Sequence, residues 1–524
     1  MASIAQVICA TQSLGVTRSP PPPRDSTVTE ASNTPGRDPS ATRLSGNLGA
    51  TSLVLSVLAF SAPIVTVSGY IAFAIGFVGE AAPLAWVIAT AGLAIFAVGY
   101  TTMTRHIRRP GAFYAYITLG LGKTPGVGGA YLATVSYMLI TVGIYTFSGT
   151  MISAAVEALG GPSIPWWACT AAGWVLITVL GHFQIELSAK VLGAVMVLEI
   201  ILVAIFNVFV LAKGGDSGLS AAPLDPTKFF NSGTGLALLF AFGNFIGFEA
   251  TALYRDEVRD PRKTIPRATY LAVFLIGGFY ALSAYSLIIA YGPSATDRAL
   301  DDPTTMFDNA MATYVSSSLA TITLVLVATS GLASVLSTHN VVARYLQNLG
   351  ADHALPTYLA GVHPTHKSPY RASFANSTVI AVLLILGALL ISDETMIIGT
   401  GSGLGTAGVL TLMALVSVAV FRYFARTGRP ATETAWRVTI APLIAAVILG
   451  IVVVFALVRF DLLVGGAPGE KLWLLLVPIA FIVAGCGVAQ YMKRNRPDLY
   501  ARLGRAEGDD ANTDPTSETP IQTR

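Results

Sequence analysis

Long apolar stretches alternate with short polar ones along most of the chain, and this pattern predicts helices that cross a membrane. A helix needs about 20 residues to cross the roughly 30 Å hydrocarbon core of a bilayer, and twelve stretches reach or approach that length. Their predicted bounds are 51–77, 82–104, 126–156, 166–181, 185–212, 234–254, 268–291, 313–338, 372–391, 395–424, 438–458 and 472–492. The fourth is the shortest. An even number of spans places both termini on the same side of the membrane.

Polar segments flank the apolar region at both ends. Residues 1–46 hold few apolar side chains and include the proline run Pro20–Pro23, and residues 493–524 are similarly polar. Such segments bury too little apolar surface to offset the entropy lost on ordering, so both are predicted to be disordered tails. The membrane domain is therefore predicted to comprise residues 47–492.

The composition also places the chain among membrane proteins. Hydrophobic residues make up 53% and charged residues 12% of the chain, and the mean hydropathy is +0.65. The net charge of +3 is too small to indicate binding to nucleic acid. Cys9, Cys169 and Cys486 match no disulfide or metal spacing, and no nucleotide motif or catalytic cluster of histidines and acids occurs. The sequence therefore predicts no cofactor, no metal, no nucleic-acid partner and no enzymatic activity.

Basic residues are distributed very unevenly between the two sides of this topology. If the termini are cytoplasmic, 27 Lys and Arg residues lie on the cytoplasmic side and 5 on the other. Without the two tails the split is 17 to 5. Because cytoplasmic loops carry an excess of Lys and Arg, the sequence predicts a protein of the plasma membrane with both termini in the cytoplasm.

The most unusual stretch is FAFGNFIGFEATALYRDEVRDPRKTIPRA, residues 240–268. It begins as an apolar helix, then places Gly243, Asn244 and Gly247 within five residues, followed by the carboxylate of Glu249. Glycine weakens a helix and lets a ligand or another backbone approach closely. A bilayer tolerates non-helical backbone only where it is buried in protein or lines a cavity. The pattern therefore predicts an interrupted helix at a functional site.

A second interruption is predicted in the first span. The sequence FSAPIVTVSG at 60–69 places Pro63 inside an apolar run, which by itself fits a simple kink. An interruption five helices later, in the sixth span, changes that interpretation. Paired breaks in corresponding helices of two halves mark the substrate site of inverted-repeat transporters. Free N–H groups at the start of a half-helix favour an anionic group such as a carboxylate.

Three blocks, in the same order, resemble the amino acid permease branch of the amino acid–polyamine–organocation (APC) transporter superfamily. The first block is the sequence GFE at 247–249 followed by DEVRDPRKTIPRA at 256–268. The second is GAFYAY at 111–116, and the third is residues 333–372 with Arg344, Gly350, Leu355-Pro356 and Pro369. The resemblance implies an all-α membrane protein with twelve transmembrane helices and a leucine-transporter-like fold. Helices 1–5 and 6–10 would form inverted repeats, helices 1 and 6 would be broken, and two further helices would be added.

The resemblance also implies a set of substrate-binding residues. In that family, the unwound parts of helices 1 and 6 hold the substrate's carboxylate and amino groups mainly through backbone atoms. The corresponding positions are Ala62, Pro63, Ile64, Val65, Thr66, Phe242, Gly243, Asn244, Phe245 and Ile246. Some relatives carry a bulky aromatic gate at the position of Gly243. Here a neighbouring ring such as Phe242 or Phe245 would have to close the site, or the pocket is wider.

Two acids within the predicted helices are candidates for ion coupling. Glu249 matches a family acid implicated in substrate or proton response, and the alternative is a carboxylate that binds loosened backbone. Glu199 stands where some sodium-independent relatives carry a lysine. It could carry a proton, or attract a cation together with hydroxyls such as that of Ser334. The alternative for Glu199 is a pair with a basic neighbour or a position in the cytoplasmic vestibule.

The sequence thus predicts a secondary active transporter that imports an amino acid or a related amine by alternating access, with a proton as the coupling ion. An exchanger and a sodium-coupled carrier are the alternatives within this class. A transporter-like sensor is a more remote alternative, because sensing would call for an appended folded domain that the polar tails do not supply.

Overall fold

Helices make up nearly all of the described chain, and no strand occurs among the described residues. The computed structural model describes residues 54, 61–106, 112–182, 189–249, 260–363, 368–391, 393–464 and 469–503. The predicted tail 1–46 lies outside the described residues, and so do residues 504–524 of the predicted C-terminal tail.

Twelve principal helices follow one another through the described residues. They are α1 (Pro63–Ala81), α2 (Pro83–His106), α3 (Lys123–Ala158), α4 (Trp166–His182), α5 (Ala189–Lys213), α6 (Thr234–Gly243), α7 (Pro261–Tyr291), α8 (Ser317–Ala351), α9 (Tyr370–Leu390), α10 (Glu394–Thr427), α11 (Ala441–Val458) and α12 (Leu476–Asn495). Shorter helices include Ala112–Leu121 before α3, Ala295–Asp301 and Met306–Tyr314 between α7 and α8, and Pro497–Arg502 after α12.

Ten helices of the described chain are long and apolar enough to cross a membrane. The two principal helices outside this set are α4, with 17 residues, and α6, with 10. The protein is therefore an all-helical, multi-pass membrane protein. The count of twelve spans and the inverted repeat remain predictions.

Helix α3 packs along α8, α10 and α12. Small residues allow these helices to approach closely, as at Gly331 of α8, where an added Cβ would lie 2.2 Å from the Ser148 Oγ of α3. Lipid tails are as apolar as the helices, so packing of this kind replaces the hydrophobic effect as a source of association between membrane helices. This close packing fixes the spacing between α3 and the helices around it.

Ordered structure continues past the predicted end of the membrane domain. Helix α12 extends to Asn495, and the short helix Pro497–Arg502 follows directly. The predicted boundary at residue 492 thus lies within a helix. The side chain of Lys123 ties this segment to the start of α3, since its Nζ donates hydrogen bonds to the carbonyl oxygens of Tyr500 and Ala501.

Candidate functional site

Helix α1 begins at an abrupt change of backbone direction. Ala62 adopts a left-handed conformation, with φ 44° and ψ 74°, and Pro63 occupies the first turn of the helix that follows. Proline is well suited to this position because its missing N–H would have no partner within the helix. One turn later, Thr66–Tyr70 form a π-helical turn, a feature frequent at functional sites. The proline therefore starts a half-helix here and does not simply kink a continuous one.

Helix α6 ends where its glycine-rich segment begins. The α-helix stops at Gly243, residues 244–247 form turns, and residues 248 and 249 are 3-10 helical. Gly247 has φ 113°, a conformation that residues with a side chain rarely adopt. A glycine at this position lets the chain leave the helix axis while it is still surrounded by protein.

The two interruptions are in direct contact through a residue that the sequence reasoning missed. The hydroxyl of Ser61 donates a hydrogen bond of 2.9 Å to the carbonyl oxygen of Asn244. It also lies 2.7 Å from the Tyr280 hydroxyl of α7. Serine before Ala62 gave no distinctive sequence signal, because many serines in membrane helices bond only to their own backbone.

A cavity of about 60 Å³ lies between the interruptions. Its walls come from α1, α3, α6, α8 and α10. The lining residues are Ser61, Ala62, Val65, Thr66, Tyr70, Ile140, Ile144, Phe240, Gly243, Asn244, Ile246, Ser334, Thr338, Ser402 and Thr406. Among these described lining residues none is charged, and hydroxyl groups from three helices supply most of the polar atoms.

The cavity brings together some of the predicted site residues and leaves others outside its lining. Seven of those predicted on the two interruptions and in α8 line it: Ala62, Val65, Thr66, Gly243, Asn244, Ile246 and Ser334. Pro63, Ile64, Phe242 and Phe245 do not. The side-chain Oδ1 of Asn244 is buried and has no hydrogen-bond partner among the described residues, so it is available to a ligand.

The aromatic cover of the cavity differs from the one expected. Phe242 points away from the cavity and packs against Gly92 of α2. A Cβ added to Gly92 would lie 2.8 Å from the Cζ atom of the Phe242 ring. Tyr70 and Phe240 line the cavity instead, with ring centroids 5.8 Å apart. The Tyr70 hydroxyl lies 2.9 Å from the Ser402 hydroxyl of α10. The sequence offered no signal for these two rings, because their role depends on which helix faces meet.

Gly243 is held against α10. A Cβ at this position would lie 2.8 Å from Thr406 Cγ2 and 2.9 Å from Thr406 Oγ1. These distances are shorter than van der Waals contact, so the wall of the cavity closes at this point only because the residue is glycine. A bulky gate at this position would therefore require α6 and α10 to move apart.

Glu199 of α5 is buried beside the start of α1, with 2% of its surface exposed. Its Oε2 lies 3.5 Å from the backbone nitrogen of Ile64, and its carboxylate also bonds to Ser330 of α8. No described basic side chain forms an ion pair with it, and it does not line the cavity. The side chain of Lys190 lies outside the described residues.

Glu249 binds the loosened backbone of its own interruption. Its Oε2 accepts a 2.8 Å hydrogen bond from the Gly247 N–H, and its Oε1 accepts a 2.6 Å bond from the Tyr137 hydroxyl of α3. The Tyr100 hydroxyl of α2 donates to its backbone oxygen at 2.6 Å. These contacts fix the end of the α6 segment to two neighbouring helices, and Glu249 does not line the cavity.

The short helix Met306–Tyr314 packs against the π-helical turn of α1 and buries an acid. Asp308 is 6% exposed, and neither of its carboxylate oxygens has a hydrogen-bond partner among the described residues. Burial raises the pKa of the Asp308 carboxyl from 3.8 to about 8. The folded protein therefore holds a proton there that the unfolded chain releases near pH 4.

Asp308 is accordingly expected to make stability fall as pH rises from about 4 to 8 and to level off above that value. The variant Asp308→Asn should remove this slope, so its melting temperature should exceed that of the parent more at pH 8 than at pH 5. Thermal unfolding in detergent at both pH values measures this. The exposed Asp301→Asn variant is the control, and an equal shift for the two variants would contradict the expectation.

Comparison with known proteins adds a separate finding. The sequence model of the family described as "Amino acid permease" matches residues 47–484. An uncharacterized transporter of Mycobacterium tuberculosis (strain ATCC 25618 / H37Rv) is 26% identical over 328 residues, which are 62% of this chain and 65% of that relative. The chain thus covers less than two thirds of the length of this relative.

Other relatives are similarly distant. The low-affinity putrescine importer PlaP of Escherichia coli (strain K12) is 23% identical over 349 residues, covering 65% of this chain and 73% of that protein. A second uncharacterized transporter of the same Mycobacterium tuberculosis strain is 29% identical over 245 residues, covering 40% of this chain and 48% of the relative.

Proposed function

This chain belongs to the amino acid permease family, and from that premise we propose that it is a secondary active transporter. It imports an amino acid or a related amine across the plasma membrane by alternating access. The relatives that are named as transporters support this class of protein over an enzyme. These relatives align with only part of this chain, so the main support for the proposal is the geometry of the site.

The observation that carries the proposal is the meeting of two interrupted helices at one buried cavity. The first N–H groups of a helix have no partner inside it, and the last carbonyls of a helix are likewise free. At the start of α1 the Ile64 N–H is shared with Glu199, and the positive end of the helix dipole favours a carboxylate there. At the end of α6 the carbonyls of Phe242 and Gly243 each accept one hydrogen bond from the turn that follows, and each keeps a second lone pair for an ammonium group. An amino acid carries both groups on one carbon atom and so matches this arrangement.

The walls of the cavity favour a substrate whose side chain carries no charge. Ile140 and Ile144 supply an apolar wall, and Ser334, Ser402 and Thr406 supply hydroxyls. Burying an unpaired charge against such a surface is costly, whereas hydroxyls can bond to a small polar group. Serine, threonine, alanine and similar compounds are therefore the first candidates.

An amine is the alternative substrate. The Escherichia coli relative is named as a putrescine importer. An amine without a carboxylate would bind at the carbonyls and at Asn244 Oδ1, and it would leave the donors at the start of α1 unused. Competition between small neutral amino acids and putrescine distinguishes the two classes.

We assign coupling to a proton carried by Glu199. The carboxylate is buried and touches the N–H of Ile64, so its protonation changes the charge next to the donors at the start of α1. An exchanger needs no such group. A sodium-coupled carrier would instead use Glu199 and hydroxyls such as that of Ser334 as oxygen ligands, and a transporter-like sensor would bind substrate without moving it.

The orientation follows from the charge distribution. The excess of Lys and Arg on one side supports cytoplasmic termini, and the proton gradient across a plasma membrane would drive import. Under this assignment the loop after α8 and the end of α12 face the cytoplasm.

Reconstitution into proteoliposomes tests the function. An inward proton gradient is expected to drive accumulation of at least one compound from a panel of labelled small neutral amino acids, cationic amino acids and putrescine. Parallel arms impose a sodium gradient or preload unlabelled substrate, and these separate the sodium-coupled carrier and the exchanger from the proton symporter. Absence of uptake in every arm, with saturable binding retained, would favour a sensor and end the transport proposal.

A further inference from the structure

A second cavity, of about 490 Å³, lies at the far end of α12. Its walls are the last turns of α12, Arg496 and the short helix Pro497–Arg502 that follow it, the segment after α8, and Tyr131 of α3. The lining residues are Tyr131, His353, Ala354, Leu355, Pro356, Thr357, Val488, Tyr491, Met492, Arg496 and Leu499. It shares no lining residue with the cavity between the interrupted helices.

The lining combines one strong cation with aromatic and aliphatic surface. Arg496 is exposed at the mouth and forms no ion pair among the described residues. Tyr131 is fixed in the wall by a 2.5 Å hydrogen bond from its hydroxyl to the Ala354 carbonyl oxygen. An arginine fork at the edge of an apolar recess matches a phosphate group attached to an apolar body.

His353 occupies a strained position at the same mouth. Its φ is 58°, and it follows the end of α8, where its N–H bonds to the Gly350 carbonyl oxygen. Glycine is the usual residue at this point of a helix terminus because it adopts a left-handed conformation without penalty. A histidine here costs stability, and strained residues of this kind cluster at functional sites. In this chain the strained position places an imidazole, a second group able to bond to phosphate, in the lining of the same cavity as Arg496.

The surrounding charge is also positive. The stretch 493–503 contains Lys493, Arg494, Arg496 and Arg502 against a single acid, Asp498. The nearby Asp352 is already engaged, since its Oδ2 accepts a 2.8 Å hydrogen bond from the Tyr114 hydroxyl. Basic groups at the end of a transmembrane helix attract anionic lipid headgroups.

An apolar path leads from the membrane to this mouth. Ile479, Val483, Gly487 and Tyr491 recur every four residues along α12 and so share one face of the helix. Tyr491 lines the cavity, and the side chains of Ile479, Val483 and Tyr491 are 52%, 62% and 57% exposed. A molecule bound at Arg496 could lay its hydrocarbon chains along this face.

We propose that this cavity binds the headgroup of an anionic phospholipid from the leaflet at the basic end of α12, with the phosphate at Arg496 and His353. The volume lies within the usual range of small-molecule sites and holds a headgroup but not the acyl chains, which lie along α12. Assignment of that leaflet to the cytoplasmic side rests on the proposed orientation, but the binding chemistry does not.

Native mass spectrometry of the full chain in detergent tests the proposal. Titration with dioleoylphosphatidylglycerol is expected to show one site that dioleoylphosphatidylcholine does not fill at the same concentration. Arg496→Ala should weaken this binding by about fivefold, the effect of one basic group near a lipid surface. Arg496→Lys should retain part of it. Arg429→Ala removes the same charge from an exposed position away from the cavity and should leave the affinity unchanged.

His353→Gly separates a binding role from a structural one. Relief of the left-handed strain should raise the melting temperature of the lipid-free protein, while the affinity for phosphatidylglycerol should fall. A more stable variant with unaltered lipid affinity would remove His353 from the site. If Arg496→Ala also left the affinity unchanged, the proposal would be overturned.

Two further arms address other occupants. Inorganic phosphate at millimolar concentration should not displace the lipid, and displacement would assign the site to a soluble phosphate compound instead. The residues after 503 include five acids, which could occupy a basic recess. A chain truncated after Leu503 should bind the lipid as the full chain does. Lipid binding that appears only after truncation would assign the cavity to the C-terminal segment and refute the proposal.

Discussion

Replacement of Gly243 by alanine is expected to lower substrate uptake by about tenfold, because overpacking a tight contact costs roughly 1–3 kcal/mol. The added Cβ would lie 2.8 Å from Thr406 Cγ2, so α6 and α10 would have to separate or the interrupted segment would have to shift. Either change moves the carbonyls that we propose as the site of the substrate's ammonium group. The measurement is initial uptake in proteoliposomes of the compound identified in the substrate panel.

A second substitution tests the stated cause. Thr406→Ala removes both atoms that the new Cβ would meet, so the double variant Gly243→Ala/Thr406→Ala should recover most of the uptake lost in Gly243→Ala. Gly278→Ala is the matched control, since it adds the same methyl group to a membrane helix at a position where no atom lies within 4 Å.

The comparison has clear contrary outcomes. Normal uptake by Gly243→Ala would show that the contact with Thr406 does not limit transport. Loss without recovery in the double variant would show that the glycine acts through its backbone freedom and not through the approach of α10. A loss equal to that of Gly278→Ala would indicate a general effect of a more rigid helix.

The variant Glu199→Gln is expected to abolish accumulation driven by a proton gradient while exchange of labelled for unlabelled substrate continues. Glutamine has nearly the shape of glutamate and can still bond to the Ile64 N–H and to Ser330, but it cannot release a proton in the physiological range. The measurement pairs two assays in the same vesicles, uptake against a proton gradient and exchange without one.

Controls separate coupling from folding. Glu394→Gln makes the same chemical change at the half-buried first residue of α10, away from the cavity, and should leave both assays unchanged. Glu249→Gln tests the other buried acid, whose bonds to Gly247 and Tyr137 predict a loss of both activities together. Unchanged proton dependence in Glu199→Gln, at normal expression, would remove Glu199 as the coupling group and leave the substrate site of the proposal intact.

Several particular residues show how far local sequence could specify the site. Pro63 and the glycines Gly243 and Gly247 act on their own backbone, so the interruptions of α1 and α6 were predicted at the residues where they occur. Ala62, Thr66 and Asn244 were placed at the substrate site by the resemblance to the amino acid permease family, which matches them position by position. Ser334 was chosen as a hydroxyl near Glu199 and lies in the lining of the same cavity as the interruptions.

Other residues depended on contacts between distant segments. Ser61, Tyr70, Phe240 and Ser402 surround or bridge the cavity. Phe242, which the sequence offered as a cover alongside Phe245 and the alternative of a wider pocket, packs against α2 instead. Rotation of a helix by one residue, about 100°, exchanges the side chains that face a neighbour. Apolar residues on all sides of a membrane helix leave this rotation undetermined by sequence, because lipid and protein neighbours are equally apolar.

The sequence by itself determined the membrane class, the placement of most helices and the two interruptions, because hydropathy, proline and glycine act within a few residues of themselves. Only the tertiary structure decided which surfaces meet at those interruptions. The contact of Gly243 with Thr406 joins segments more than 160 residues apart in the printed sequence. Close packing fixes such a contact through the combined shape of both helices, a property that neither segment carries alone.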